Sequence, residues 1–192
     1  MQPGVLILVV GPSGAGKDTM LDAARRALAA RPRFHFARRV ITRPADAGGE
    51  DHESATEAEF ATRAFALQWQ AHGLRYGIPA TIADELAGGR VVVANVSRTV
   101  LADAARRFPA RAILVTAPAA VLADRLAGRG REAAAAIAAR LARDVPLPPG
   151  LPVEIVLNDA TPEIGAARFL AALSRAAAAG PPDRTAPPAP PG

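Results

Sequence analysis

Val5-Leu6-Ile7-Leu8-Val9-Val10, followed without a break by Gly11-Pro12-Ser13-Gly14-Ala15-Gly16-Lys17-Asp18-Thr19, is the stretch on which the fold turns. A short, continuous apolar run rich in β-branched residues reads as a strand buried on both faces, the habit of a parallel sheet. Four residues separate Gly11 from Gly16-Lys17. That spacing lets successive backbone N–H groups curl around a phosphate at the start of a helix. The following residues supply the helix, with Met20, Leu21, Ala24 and Leu28 on one stripe. Lys17 carries a second signal. Lysine and arginine together number 23, and Lys17 is the one lysine. A chain that otherwise uses arginine keeps a slender point charge where it can reach the outer phosphates of a nucleotide.

Outward from this unit the strand and helix signals alternate. Arg33 to Ile41 reads as extended, 42–54 as loop, and 55–63 as a short helix. Phe65 to Ala71 and Leu74 to Ile78 flank His72-Gly73 and form a hairpin. Ile82 to Ala87 is helical, Arg90 to Asn95 a buried strand, Ser97 to Phe108 a helix and Arg111 to Thr116 a strand. Pro118 to Ala127 forms a helix with proline in its first turn. A long alanine-rich helix is expected at 132–144, a strand at Val153 to Leu157, and a last helix at Pro162 to Ala178. Such alternation argues for an α/β fold, a parallel sheet flanked by helices. Residues 39–87 interrupt the rhythm and are expected to form a smaller lobe over the carboxyl edge of the sheet. From Gly180 onward six of thirteen residues are proline, so 180–192 is expected to be a disordered tail.

The totals narrow the function. At 192 residues a single domain with a substantial core is expected. The absence of cysteine rules out disulfides and thiolate metal sites. The first apolar run is too short for a signal core or a membrane span, and no basic segment precedes it, so a cytoplasmic protein without membrane association is expected. A net charge of +5 raises the question of nucleic acid, but aromatics make up 4% and the arginines are dispersed. Small phosphorylated ligands account for the surplus better than a polynucleotide does.

Asp18 stands where a phosphate loop usually has a Ser or Thr hydroxyl. A carboxylate beside phosphates is repelled unless a cation lies between, so Asp18 is a candidate Mg²⁺ ligand. The alternative is that it only complements the helix dipole. Arg125, Arg129 and Arg131 surround the glycines Gly128 and Gly130. This reads either as an arginine-rich lid over about 125–140 that neutralises a phosphoryl group in flight, or as a solvated helix face with internal ion pairs.

These segments, together with Thr42-Arg43-Pro44 and Trp69 through Tyr76-Gly77, resemble the guanylate kinase family over about residues 4 to 175. The resemblance implies a P-loop NTPase fold spanning 1–179, with a core, an acceptor-binding lobe and a lid. ATP and Mg²⁺ would be the cofactors, bound by the loop residues Gly11 to Thr19 and by Arg125. Asn158 would lie near the adenine, and Lys17, Arg125, Arg129 and Arg131 would be catalytic.

The acceptor lobe departs from guanylate kinases. The carboxylate that receives guanine N–H groups falls on Gln68, and a second one falls on Asn95. A second phosphate-binding arginine falls on Asp46, and a phosphate-contacting tyrosine on His52. An amide does not offer two acceptor-only oxygens, so guanine recognition is compromised.

Arg39-Val40-Ile41-Thr42-Arg43, Gly49-Glu50-Asp51-His52, Trp69 to Leu74, Asn95-Val96-Ser97-Arg98 and the Gly-Lys-Asp of the loop resemble instead the ribose 1,5-bisphosphate phosphokinase family. Those enzymes move the γ-phosphoryl group of ATP onto a sugar bisphosphate to give 5-phosphoribosyl 1-diphosphate (PRPP), in phosphonate breakdown. On this resemblance Arg39, Arg43 and Arg98 are candidates for the two acceptor phosphates. Thr42, Glu50, His52, Tyr76, Asn95 and Ser97 would complete the acceptor site. His72 reads as a hairpin tip and Trp69 as lobe core. The runner-up is a guanylate or other nucleoside monophosphate kinase. A catalytically silent module of the same fold fits poorly, because Lys17 and the three arginines are all retained.

Overall fold

The computed structural model describes residues 4–44, 51–127 and 146–182. In chain order the first elements are β1 (Val5–Val10), α1 (Lys17–Ala27), β2 (Phe34–Phe36), β3 (Arg39–Ile41), β4 (His52–Ser54) and α2 (Glu57–Thr62). A hairpin of β5 (Phe65–Ala71) and β6 (Leu74–Pro79) follows, then α3 (Ile82–Ala87) and β7 (Val91–Asn95). A 3-10 turn (Arg98–Val100) leads into α4 (Leu101–Arg107), β8 (Ala110–Thr116), α5 (Ala119–Ala127), β9 (Val153–Leu157) and α6 (Pro162–Ala179).

β1 is the centre of a five-stranded sheet ordered β2-β7-β1-β8-β9, with every pairing parallel. Its continuous apolar sequence has a direct physical cause. Val5, Ile7 and Val9 point to one face, where they pack with Met20, Leu21 and Ala24 of α1 and Phe169 and Leu173 of α6. Leu6, Leu8 and Val10 point to the other, against Ile82 and Leu86 of α3 and Leu101 and Ala104 of α4. All six are fully buried. Alternation of side chains along a strand thus feeds two cores, each fully buried aliphatic contributing about 1.5–3 kcal/mol. This is an α/β fold, a parallel sheet flanked by helices.

A second, four-stranded sheet, β4-β3-β6-β5, is built by residues 39–79. β3 and β5 pair antiparallel with β6, and β4 pairs parallel with β3. Its own small core holds Val40, Ala55 and Phe60, with Phe65 stacked on Phe60 at 4.3 Å between ring centroids. α2 begins in a capping box. The Glu59 N–H donates to Thr56 Oγ1 at 3.2 Å, and the Thr56 N–H donates to Glu59 Oε2 at 2.7 Å. The Thr56 N–H and the Thr56 hydroxyl, both donating to Oε2, hold the Glu59 carboxyl below its ordinary range.

The structure departs from the sequence reading in several places, among them the helix expected over Ser97 to Phe108, which is a 3-10 turn followed by α4. The extended run 33–41 is two strands in two sheets, β2 in the main sheet and β3 in the lobe. The loop expected at 42–54 ends in a strand, β4. The first helix, expected over Lys17 to Ala30, stops at Ala27, where the Leu28 N–H bonds back to the Ala24 carbonyl. The alanine-rich helix expected at 132–144 and residues 183–192 of the expected tail lie outside the described residues.

Candidate active site

The phosphate loop leaves β1 at Gly11, whose φ of 152° few other residues adopt. A Cβ there would lie 2.0 Å from the Val115 carbonyl oxygen of β8, so the loop starts where only glycine fits. Gly14 and Gly16 are also left-handed, at φ 84° and 89°. Gly16 is the N-cap of α1, and no side chain caps that helix. The first N–H groups of α1 therefore face the concavity, a geometry suited to phosphate oxygens. Lys17 Nζ reaches back over the loop, donating to the Gly11 carbonyl at 2.7 Å and the Pro12 carbonyl at 2.9 Å. Arg125 of α5 donates from Nη1 to the Gly14 carbonyl at 3.4 Å.

Between this loop and the small lobe lies a cleft of about 300 Å³. Gly11, Ser13, Gly14, Gly16, Lys17, Asp18 and Thr19 line it from the loop, Asn95 and Ser97 from the end of β7 and just beyond, and Arg39 and Tyr76 from the lobe. Eleven of the residues expected at the site thus share one cavity. Asn95 ends β7 beside β1, and its Nδ2 donates to Asp18 Oδ1 at 3.0 Å. That bond aims the exposed carboxylate of Asp18 along the rim of the loop. Among the described residues no group of three or more acids, histidines or cysteines is placed to hold a metal. A divalent cation here would rely on one carboxylate, phosphate oxygens and water. Magnesium binds in that way, so the residues present fit it.

Arg39 has its guanidinium carbon 5.6 Å from the Tyr76 ring centroid, and Tyr76 stacks on Trp69 at 5.4 Å with planes 7° apart. The three-layer stack fixes an arginine at the acceptor side of the cleft. Trp69 packs, half-buried, against the apolar cluster that holds Leu67 and Ile78, and it also lines the cleft, as do Ala71 and His72. Cross-strand register explains this, since Trp69 lies opposite Tyr76 in the hairpin. His72 and Gly73, at φ 52° and 73°, form the tight turn expected of them.

Other expected acceptor residues are not among those lining this cleft. Thr42 Oγ1 accepts from the Arg75 N–H at 2.9 Å, joining β3 to β6. Arg43 Nη2 lies 3.2 Å from His52 Nδ1. A guanidinium only donates, so Nδ1 is the acceptor in this contact. Arg98 opens the 3-10 turn beside Ser97, and burial lowers its pKa. Pro12 and the buried Ala15 form the back of the loop. Glu50, Arg129, Arg131 and most of the expected lid lie outside the described residues. Sequence reasoning missed Asp51, which pairs with Arg38 at 2.9 Å and with Arg25 of α1 at 3.7 Å, bridging lobe and core.

Asn158, expected near the adenine, is 6% exposed and lies behind the loop. Its Nδ2 donates to the Ala15 carbonyl at 2.8 Å. Its neighbour Asp159 accepts from Arg168 at 2.7 Å, which keeps the Asp159 carboxyl below its usual range.

A strand, a glycine loop and an uncapped helix at the carboxyl edge of a parallel sheet define a P-loop nucleotide-binding protein of the kinase type, and the AAA domain family matches residues 6–144. The guanylate kinase of Anaplasma phagocytophilum superposes with a TM-score of 0.62, covering 91% of this chain and 87% of that one at 17% identity, a likeness of fold. Sequence similarity reaches further. The chain is 57% identical over 175 residues to ribose 1,5-bisphosphate phosphokinase PhnN of Acidiphilium cryptum, covering 90% of this chain and 93% of that protein. It is 56% identical over 168 residues to the protein of the same name from Brucella melitensis, covering 85% and 87%. The chain belongs to the ribose 1,5-bisphosphate phosphokinase family.

Proposed function

We propose that this protein transfers the γ-phosphoryl group of ATP to the 1-phosphate of ribose 1,5-bisphosphate, giving PRPP and ADP. The observation that carries this reading is the 57% identity, spanning nearly the whole relative, to a protein named for that activity. The cleft supports it. Its loop wall suits a nucleotide triphosphate, and its lobe wall offers a fixed arginine, Arg39, rather than an acid for a base. Gln68 is exposed on β5, and the amide donor of Asn95 is committed to Asp18. Neither residue presents the carboxylate that guanine N–H groups demand.

The acceptor is a phosphate monoester, ionised near neutral pH, so its oxygen attacks the γ-phosphorus without a general base. A phosphorus–oxygen bond forms as the bond to the β,γ-bridging oxygen breaks, and ADP leaves with that electron pair. The barrier to overcome is repulsion between two polyanions brought in line. Lys17 and the N–H groups of the loop take the donor's charge, and Arg125, already on the loop, is placed beside them. Arg39 takes the charge of the acceptor, and Arg43 and Arg98 join it on sequence grounds. Bound Mg²⁺ would be held by Asp18 and would neutralise charge between the outer phosphates. Arg129 and Arg131 extend this set on sequence grounds, as does Glu50 on the acceptor side. Ser97, Tyr76 and His52 are proposed to orient the acceptor.

A cytoplasmic location with small-molecule partners alone, without nucleic acid or membrane, completes the proposal. Among the described residues no helix is long and apolar enough to cross a membrane. The test is a coupled ADP-release assay with ribose 1,5-bisphosphate and GMP in parallel, the product identified by phosphorus NMR. Diphosphate signals of PRPP are expected. Faster turnover of GMP would reverse the assignment in favour of a nucleoside monophosphate kinase.

A further inference from the structure

We propose that Asn158 is a positioning residue for the phosphate loop, acting on bound triphosphate through the Ala15 peptide rather than by touching the base. The proposal rests on the loop being the nucleotide site, and it assigns the residue a different task from the one its family resemblance implies.

When a loop turns its N–H groups inward to form an anion cradle, its carbonyl groups must point elsewhere, and each needs a donor there. Ser13 is exposed, so water can reach its carbonyl. Of the others, Lys17 Nζ serves the Gly11 and Pro12 carbonyls, the Met20 N–H serves that of Gly16, and Arg125 serves that of Gly14. The carbonyl of the fully buried Ala15 receives Asn158 Nδ2 at 2.8 Å.

The amide is itself held on three sides. The Asn158 N–H continues the β8–β9 ladder to the Thr116 carbonyl at 2.7 Å. Arg168 donates at 2.7 Å to both the Leu157 carbonyl and the Asp159 carboxylate, clamping the residues on either side. Two glycines make room for it: a Cβ on Gly16 would lie 2.5 Å from Nδ2, and one on Gly165 of α6 would lie 2.6 Å from Oδ1. The buried Oδ1 has no hydrogen-bond partner among the described residues. The oxygen end is desolvated without return, so the donor end explains the amide. Its orientation follows from the Ala15 carbonyl, which an oxygen would repel.

Calorimetric binding of ATP, GTP and inorganic tripolyphosphate to the full chain separates the two roles. Asn158→Asp keeps the shape and removes the donor. It is expected to weaken all three ligands by a common factor, on the order of tenfold, the size of one lost buried hydrogen bond. Affinity should recover as pH falls and the new carboxyl takes up a proton, regaining a donor. Gly165→Ala, which adds no charge and crowds the amide from behind, should reproduce the common loss, with thermal melting confirming a folded protein. Initial rates should show a raised KM for ATP at little-changed kcat. A loss confined to ATP, with tripolyphosphate binding intact, would return Asn158 to the base and overturn the proposal, as would unaltered affinity for all three. A wild-type protein that binds none of them would instead sink the nucleotide reading beneath it.

Discussion

Lys17 sits between the Gly11 and Pro12 carbonyls, 2.7 and 2.9 Å away, in a slot that suits one slender ammonium group. In a chain that uses arginine elsewhere, replacement by arginine should fail here, because a planar guanidinium is too broad to leave the slot for the β- and γ-phosphates. Both Lys17→Ala and Lys17→Arg are expected to lower kcat by about 10²–10³, the usual cost of removing a preorganised charge, in an ADP-release assay. Asp18→Asn preserves the acceptor for the Asn95 amide while removing the charge. Half-saturation by Mg²⁺ should then require several-fold more metal. A titration curve identical to wild type at normal rate would exclude Asp18 from the metal site. The sequence displayed both residues plainly, because loop chemistry is local. Asn158 came from the family resemblance as a residue near the adenine, but its place behind the loop was not legible, because its partner lies 143 positions away and its burial follows from where β9 ends.

At the level of elements, what was legible depended on whether a segment's neighbours are near in sequence. β1, β7 and β9 were readable because both faces are buried or the run is β-branched. β4 was not: three polar residues become a strand through parallel pairing with β3, and nothing local in His52-Glu53-Ser54 announces it. The run from Arg33 to Ile41 was extended as expected. Its division between two sheets is a tertiary decision, taken around Ala37 and Arg38 where propensity is silent. The hairpin was legible down to its turn, but the place of Trp69 at the cleft emerged only with the register that sets it against Tyr76. Gly77 in that hairpin packs under Phe65, and a Cβ there would lie 2.3 Å from the ring. Gly77→Ala should destabilise the lobe by about 1–3 kcal/mol, as overpacking does. Since Gly77 and Phe65 lie in the lobe sheet and not in the ladder that carries the phosphate loop, KM for the acceptor should rise while KM for ATP holds, in initial-rate kinetics with each substrate varied.

Across the whole molecule the two sheets carry opposite parts of one electrostatic task, the loop side receiving the donor and the lobe side the acceptor. The contacts between them include exposed ion pairs such as Arg25 with Asp51, worth little each in stability. Stability resides in the two apolar cores around β1, whereas ligand capture rests on cationic groups at the rim. Raising salt should separate these quantities. Screening over about 8–10 Å should increase KM for both polyanionic substrates, while the melting temperature moves little. Equal sensitivity of both would contradict this division.

The tryptophan stacked on Tyr76 is the chain's sole indole and borders the cleft. The protein therefore carries a native optical reporter: selective excitation of Trp69 reads the state of the acceptor wall without a label. A sugar bisphosphate drawing Arg39 off its aromatic perch should alter the emission, and ATP alone should do so less.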